Sequence, residues 1–161
     1  MASDYLLEIT GIKGESKDSV KKETIEVSSF SWGVSNPGSF QSGSGGGTAK
    51  ANPQDLHFST TVSKASPVLF AHCASGKHIP KATLFVRKAG GKQEEYYSVV
   101  LEKCLISSFQ SAGGGSDTPP SEQFSINYAK IEFSYKTQDE KGKATGETKH
   151  YWDIAGNKVQ I

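Results

Sequence analysis

Three observations predict a mainly β fold, an antiparallel β-barrel with one short α-helix and a long extended loop. Apolar and polar residues alternate with period two along most of the chain. A single short stretch carries helix start and stop signals, and one glycine-rich segment separates two strong strand patterns. At 161 residues the chain is long enough for one sizeable core, so residues 1–161 are read as a single domain.

The first strand shows Tyr5, Leu7 and Ile9 against Leu6, Glu8 and Thr10. In Glu23–Val34 the apolar residues fall on odd positions (Ile25, Val27) and then on even ones (Phe30, Trp32, Val34). The phase changes at Ser28-Ser29, which signals a bulge or a strand that buries opposite faces along its length. Phe30 and Trp32 are bulky enough to require burial, and Ser29 and Ser31 therefore face water. A loop follows, Asn36–Asp55, with glycines at 38, 43, 45, 46 and 47. A segment this long inside a compact domain is either a binding or functional loop or a mobile surface loop. Folded back on itself at about 3.3 Å per residue, it reaches about 30 Å and is suited to touching another molecule.

Beyond it Leu56, Phe58 and Val62 share one face, opposite His57, Ser59 and Thr61. Ser66 as N-cap, Pro67 at the first helical position and Gly76 at the C-terminus bound a helix of about two turns. Its residues VLFAHCAS are too apolar for a solvent-exposed helix, so it braces one side of the barrel. Thr83–Arg87 and Tyr96–Phe109 flank a Gly90-Gly91 hairpin turn. In Phe124–Tyr135 the phase runs from even (Phe124, Ile126, Tyr128) to odd (Ile131, Phe133, Tyr135), and Tyr151–Ile154 completes the set. A phase reversal is either a barrel corner or a strand whose second half faces a neighbouring subunit or a channel.

Composition narrows the function. Eighteen Lys and Arg against seventeen Asp and Glu give a formal charge of +1, so there is no basic footprint for nucleic acid. The mixed-sign runs Lys13–Glu23 and Lys136–Lys149 read as solvated turns. No cleavable secretory signal and no membrane-spanning run are visible, so synthesis is expected in the cytoplasm and no membrane insertion is expected. Cys73 and Cys104 lack metal or C-x-x-C spacing and read as small apolar residues.

Catalytic motifs are missing: there is no G-x-S-x-G, Walker A, G-x-G-x-x-G or H-E-x-x-H pattern. His57, His72, His78 and His150 share no ligand spacing and read as surface or hydrogen-bonded histidines. Asp153 and Glu102 are candidates for buried or interface charges, with no nucleophile beside them. No catalytic residue, cofactor site or metal site is assigned, and the chain is not read as an enzyme.

Several segments together carry a resemblance: KGESKD (13–18), IEVSSFSWG (25–33), NPQDLHF (52–58), SGKHIP (75–80), RKAGG (87–91) and YWDIAGN (151–157). In this order they resemble the Hcp (haemolysin-coregulated protein) family, the tube proteins of bacterial type VI secretion systems. The resemblance implies a β-barrel that forms a homohexameric ring, with rings stacked into a hollow tube. The tube would carry a spike protein at its tip, lie within a contractile sheath, hold effectors in its lumen, and leave the cell without a cleaved signal. It implies that the Asn36–Asp55 loop, through Phe40, Gln41, Gly45, Gly46, Gly47, Thr48 and Lys50, reaches an adjacent ring. Ser29 and Ser31 would then face the lumen as effector contacts. The rival reading is a monomeric β-barrel ligand-binding module that uses Trp32 and Trp152 as stacking platforms; a small hydrolase would need a nucleophile the sequence does not offer.

Overall fold

The structure, a computed structural model, describes residues 3–38, 50–88, 94–115, 118–139, 141 and 144–161. In chain order these form β1 (Ser3–Ile9), β2 (Ile25–Ser31), β3 (Val34–Ser35), β4 (Asn52–Pro53), β5 (Leu56–Thr61), α1 (Ser66–Ser75), β6 (Ile79–Lys88), β7 (Glu95–Ala112), β8 (Ser121–Gln138), β9 (Ala144–Asp153) and β10 (Lys158–Gln160). Six strands in the order β8-β5-β2-β1-β6-β7 close into an antiparallel barrel through the β7–β8 ladder. The predicted fold class is the observed one.

Strands β7 and β8 are each eighteen residues long and outrun the barrel. The first part of β8 pairs with β5, from Ser121 to Ile126, and the second part, from Lys130 onward, pairs with β9. Between these parts both strands change phase together. Val99 and Leu101 are buried on β7, then Cys104 and Ile106; on β8 Ile126 and Tyr128 are buried, then Ile131. The register runs unbroken through the change, with Leu101 opposite Ile131 and Cys104 opposite Tyr128. Lys103, at φ 52°, takes the left-handed conformation that turns the ladder. The reversal in Phe124–Tyr135 is thus a corner. Past it Phe133 and Tyr135 are partly exposed. The reversal in β2 is a true bulge, with the register to β5 shifting between Val27 and Ser29.

The core holds Leu7, Ile25, Leu56, Leu84 and Ile126, with Phe58 stacked on Phe124 at 5.1 Å between ring centroids. Phe30 and Trp32, expected to be fully buried, are half-buried and pack against the rim of this core. Val62 lies beyond the end of β5 and is exposed, so Thr60 takes the inward place instead.

The Lys13–Glu23 run is not a solvated turn. Gly14 N–H donates to Glu23 O (2.8 Å) and Ser16 N–H to Thr24 O (3.1 Å), which ties the segment to the start of β2. A Cβ on Gly14 would lie 2.4 Å from Thr24 O, so only glycine fits there. The loop carries Asp18 onto Arg87, 69 residues away, whose guanidinium is buried. Arg87 Nη1 donates to Asp18 Oδ2 at 3.0 Å, Nη2 donates to Asp18 Oδ1, and Asp4 lies 3.5 Å from Nη2. The amides of Val20 and Lys21 donate to Asp18 Oδ2 as well. Lys21 Nζ sits 3.8 Å above the Phe85 ring and 3.2 Å from Glu95. Leu6, expected on the polar face, is buried where this loop crosses β1. The second mixed run is largely strand. Lys149 pairs with Glu132 across the ladder and with Glu147 on its own strand, and Lys136 pairs with Glu147 across the ladder.

The helix starts one residue earlier than expected. Ala65 is the cap, and Ser66 lies inside the helix, its hydroxyl accepting from Ser63 N–H and donating to the buried Glu122. A tertiary partner has claimed the side chain that the sequence assigns to capping. Gly76, at φ 67°, ends the helix as expected, with its N–H on His72 O. The helix presents Leu69 to the core, but Phe70 is 59% exposed and meets Phe109 edge-on, so it is not fully covered. Glu102 and Asp153 are surface groups, Glu102 pairing with Lys130 and Asp153 accepting from Gly156 N–H.

Two predictions follow from this packing. Phe58→Ala should cost about 3–5 kcal/mol in denaturant unfolding, while Phe70→Ala at its exposed site should stay within about 0.5 kcal/mol; equal losses would contradict the assigned core. The second concerns acid. The Arg87 guanidinium, and then the Lys21 and Val20 amides, hold the Asp18 carboxyl well below the usual carboxylate range. A group with a depressed folded pKa stabilises fully above its unfolded pKa, near ~3.9, and progressively less as pH falls below it. Asp18→Asn should therefore lower Tm at neutral pH and flatten the fall in Tm below about pH 4. A variant that follows the wild-type Tm across that range would show the pair to be idle.

Candidate functional site

The outer face of β2, β5, β8 and the second half of β7 is a hydroxyl and amide surface. Cross-strand register sets its side chains in rows. Ser31 stands opposite His57, His57 opposite Ser125, and Ser125 opposite Ser108. The next row is Ser29, Ser59, Gln123 and Gln110. All of these but the buried Ser125 line a shallow depression of about 380 Å³. Ser29 and Ser31 are exposed, on the side that alternation gives them.

Both bulges shape this surface. On β7 the register to β8 shifts between Ile106 and Ser108, which sets two hydroxyls against one. Ser107 Oγ lies 2.7 Å and Ser108 Oγ 2.5 Å from Ser125 Oγ, and Ser125 is buried beneath them. Ser107 also donates to Asp55 Oδ2 at 2.7 Å, and Asn127 Nδ2 donates to Asp55 Oδ1 at 2.8 Å. Both oxygens of that carboxylate are thereby occupied. On β2 the bulged Ser28 donates its hydroxyl to Ser59 O at 2.9 Å.

The long loop leaves this face as a paired ribbon. Val34 stands opposite Pro53 and Ser35 opposite Asn52, so the loop folds back on itself at its root. Gln54 N–H donates to Gly33 O, and Tyr128 OH donates to Gln54 O at 2.7 Å. Burial, and next the charge of Asp55, push the Tyr128 hydroxyl up to about 12, so it stays a donor at every physiological pH. Of the residues expected to reach a neighbouring ring, Lys50 is described and exposed beside the ribbon. Phe40, Gln41, Gly45, Gly46, Gly47 and Thr48 lie outside the described residues.

Trp32 and Trp152, the expected stacking platforms of the rival reading, do line one apolar groove of about 370 Å³ with Ile131 and Phe133. Trp32 is already engaged: its Nε1 donates to Tyr97 OH at 2.8 Å and its ring meets Phe133 edge-to-face at 5.1 Å. Among the described residues no three His, Cys, Asp or Glu side chains converge on a point where a metal ion would sit. His72 Nδ1 is hydrogen-bonded to Val68 O and His150 Nδ1 to Gln160 O. Sequence reading singled out Ser29 and Ser31 but missed His57, Gln110 and Gln123 beside them. Their signal was present, as polar residues alternating with Phe58, Phe109 and Phe124, but only register assembles them.

A profile of the family described as "Type VI secretion system effector, Hcp" matches residues 6–135. The protein hcp1 of Pseudomonas aeruginosa is 42% identical over 159 residues, covering 98% of each chain. The chain belongs to the Hcp family. Among solved structures, Hcp1 from Salmonella typhimurium superimposes with a TM-score of 0.82 at 32% identity, covering 99% of this chain and 100% of that one. Another, described as a type six secretion system protein, reaches 0.91 at 30% identity with 99% and 100% covered. The expected membership is met: this is an Hcp tube protein of the type VI secretion system, a structural and secreted component.

The two thiols of this Hcp chain are free, Cys73 half-buried on α1 and Cys104 buried on β7 with its Sγ toward Ile79 O. Burial pushes the Cys104 thiol up to about 11, which leaves almost no thiolate at neutral pH. A thiol reagent should label Cys73 in the native protein and Cys104 only after unfolding; rapid native labelling of both would contradict the assigned burial.

Proposed function

We propose that the chain is the subunit of a homohexameric ring whose rings stack into a hollow tube, with the hydroxyl face of β2, β5, β8 and β7 turned to the lumen. The observation that carries this reading is a pair of bare sheet edges on either side of that face. Among the described residues β2 pairs with β1 only at Ile25 and Glu26, so its edge from Val27 to Ser31 has no ladder partner on that side. Strand β7 pairs with β6 only as far as Cys104, so Leu105–Ala112 likewise has no ladder partner on that side, although α1 packs against this strand through Phe70 and Phe109. An exposed edge is a template for pairing with another chain. Two different edges on one molecule make a heterologous contact, which closes into a ring when the rotation allows.

In this arrangement each subunit adds four strands to the wall, faced mainly by hydroxyl and amide side chains. Ser29 and Ser31 are effector contacts, and the Asn36–Asp55 loop reaches the adjacent ring. The spike protein, the contractile sheath and the lumenal effectors are the remaining partners. Export needs no cleaved signal because the tube is itself what is propelled.

Two variants test the parts of this reading. Ser31→Gln should leave the ring intact, since the site faces water, yet narrow the bore and reduce co-purification of an effector; equal recovery from an intact ring would remove Ser31 from the contact. Deleting Gly43–Thr48 should leave the barrel folded, since long loops shorten at little thermodynamic cost, but should abolish stacking and secretion. Full secretion by the shortened chain would show that the loop has no part in stacking.

A further inference from the structure

The hydroxyl face has an apolar counterpart on the other side of the same four strands. Register places Phe30 opposite Phe58, Phe58 opposite Phe124 and Phe124 opposite Phe109. One row of phenylalanines therefore crosses β2, β5, β8 and β7 behind the serines and glutamines. Its middle members, Phe58 and Phe124, are buried, but its two ends are only half-buried. Phe30 is flanked by Tyr5 and Tyr97, each at 5.6 Å between ring centroids, and Phe109 by Phe70 at 6.4 Å. Trp32, two residues beyond Phe30, is half-buried as well. The ends of the row coincide with the two edges that lack a ladder partner, Val27–Ser31 and Leu105–Ala112. Neither stretch contains a charged residue or a proline, the usual devices that keep an edge from pairing.

We infer that this row is completed across the seam between copies, with Phe109 of one copy packing on Phe30 or Trp32 of a second copy of this chain. This rests on the ring reading above and names the side chains that meet there. Neighbours in the sheet alternate in direction, so β7 runs opposite to β2. Copies in one orientation around a ring thus join these edges antiparallel. The register shift across the seam must be even, because an odd one would set Phe109 beside the exposed Ser29 or Ser31. With no shift Phe109 stands opposite the partner's Phe30, and one even step sets it opposite the partner's Trp32. Closing a sheet around a bore needs such a stagger. Aromatic side chains reach both direct and diagonal cross-strand neighbours, so either register fills the gap at the end of the row. The bare stretches stand at the same height, Ser108 in the row of Ser31 and Ser111 in the row of Val27. A larger step would leave part of each edge unpaired.

The test uses the purified full-length protein in two measurements. In the first, particle mass is followed on dilution. Phe109→Ala should raise the concentration at which the assembly dissociates by about tenfold or more, as loss of a central aromatic contact does. Its separated copies should keep the β-sheet circular dichroism of the wild type. In the second, Gln110→Cys is combined with Ser29→Cys or with Ser31→Cys under mild oxidation. A 110–29 disulfide sets Phe109 opposite Phe30, and a 110–31 disulfide sets it opposite Trp32. Within one copy these positions are three strand spacings apart, about 14 Å. That is beyond the ~7 Å between Cα atoms that a disulfide spans, so any such bond joins two copies. One of the two pairs should give covalently linked multimers that Gln110→Cys alone does not. If Phe109→Ala fails to fold, the disulfides alone decide. A wild-type particle of ring mass with no change in Phe109→Ala, or with neither disulfide, overturns the inference and leaves the ring reading standing. A wild type that stays at the mass of one chain overturns the ring reading and this inference with it.

Discussion

The architecture depends on the ladder between β7 and β8. These two strands stay in register across a corner at Lys103 and do two jobs in succession. Before the corner in β8, Phe124 and Ile126 close the barrel against β5; after it, the strand carries β9 and β10 away from the barrel. Because both strands switch phase together, Val99, Leu101, Cys104 and Ile106 all remain buried although the strand changes direction. The same ladder places Ser108 and Gln110 alongside Ser125 and Gln123, and so builds half of the hydroxyl face. A register slip of one residue would turn Phe124 outward and Gln123 into the core, removing core and face at once.

A second constraint locks the barrel from outside. The 13–24 loop is held against the entry to β2 by three backbone hydrogen bonds and a glycine with no room for a side chain. It delivers Asp18 to a buried guanidinium on β6 that Asp4 also approaches, and removing Arg87 leaves the Asp18 charge without its cation. The motif KGESKD is therefore best understood as a clasp. Its glycine sets the approach, Ser16 sets the ladder, and Asp18 closes onto Arg87 of the distant RKAGG motif.

Much of this was legible in the sequence, and what was not has a physical reason. Alternation is a local property, so the strands, the bulge at Ser28 and the corner in β8 could all be read from residue order. Capping and charge are decided by partners far away in sequence. Ser66 left the cap because Glu122 holds its hydroxyl, and Asp18 left the solvent because Arg87, 69 residues on in sequence, holds its carboxylate. The face suffered the same limit. Ser29 and Ser31 could be placed by their contrast with Phe30 and Trp32, whereas His57, Gln110 and Gln123 join them only through cross-strand register.

The function proposed for this family member lies in shape and in what the sheet presents. The central claim is that bare edges on β2 and β7 meet between copies. Light scattering coupled to size-exclusion chromatography measures it directly. The account predicts a particle of six times the 17.3 kDa chain mass at micromolar concentration. A species that remains at the mass of one chain as concentration rises would contradict it.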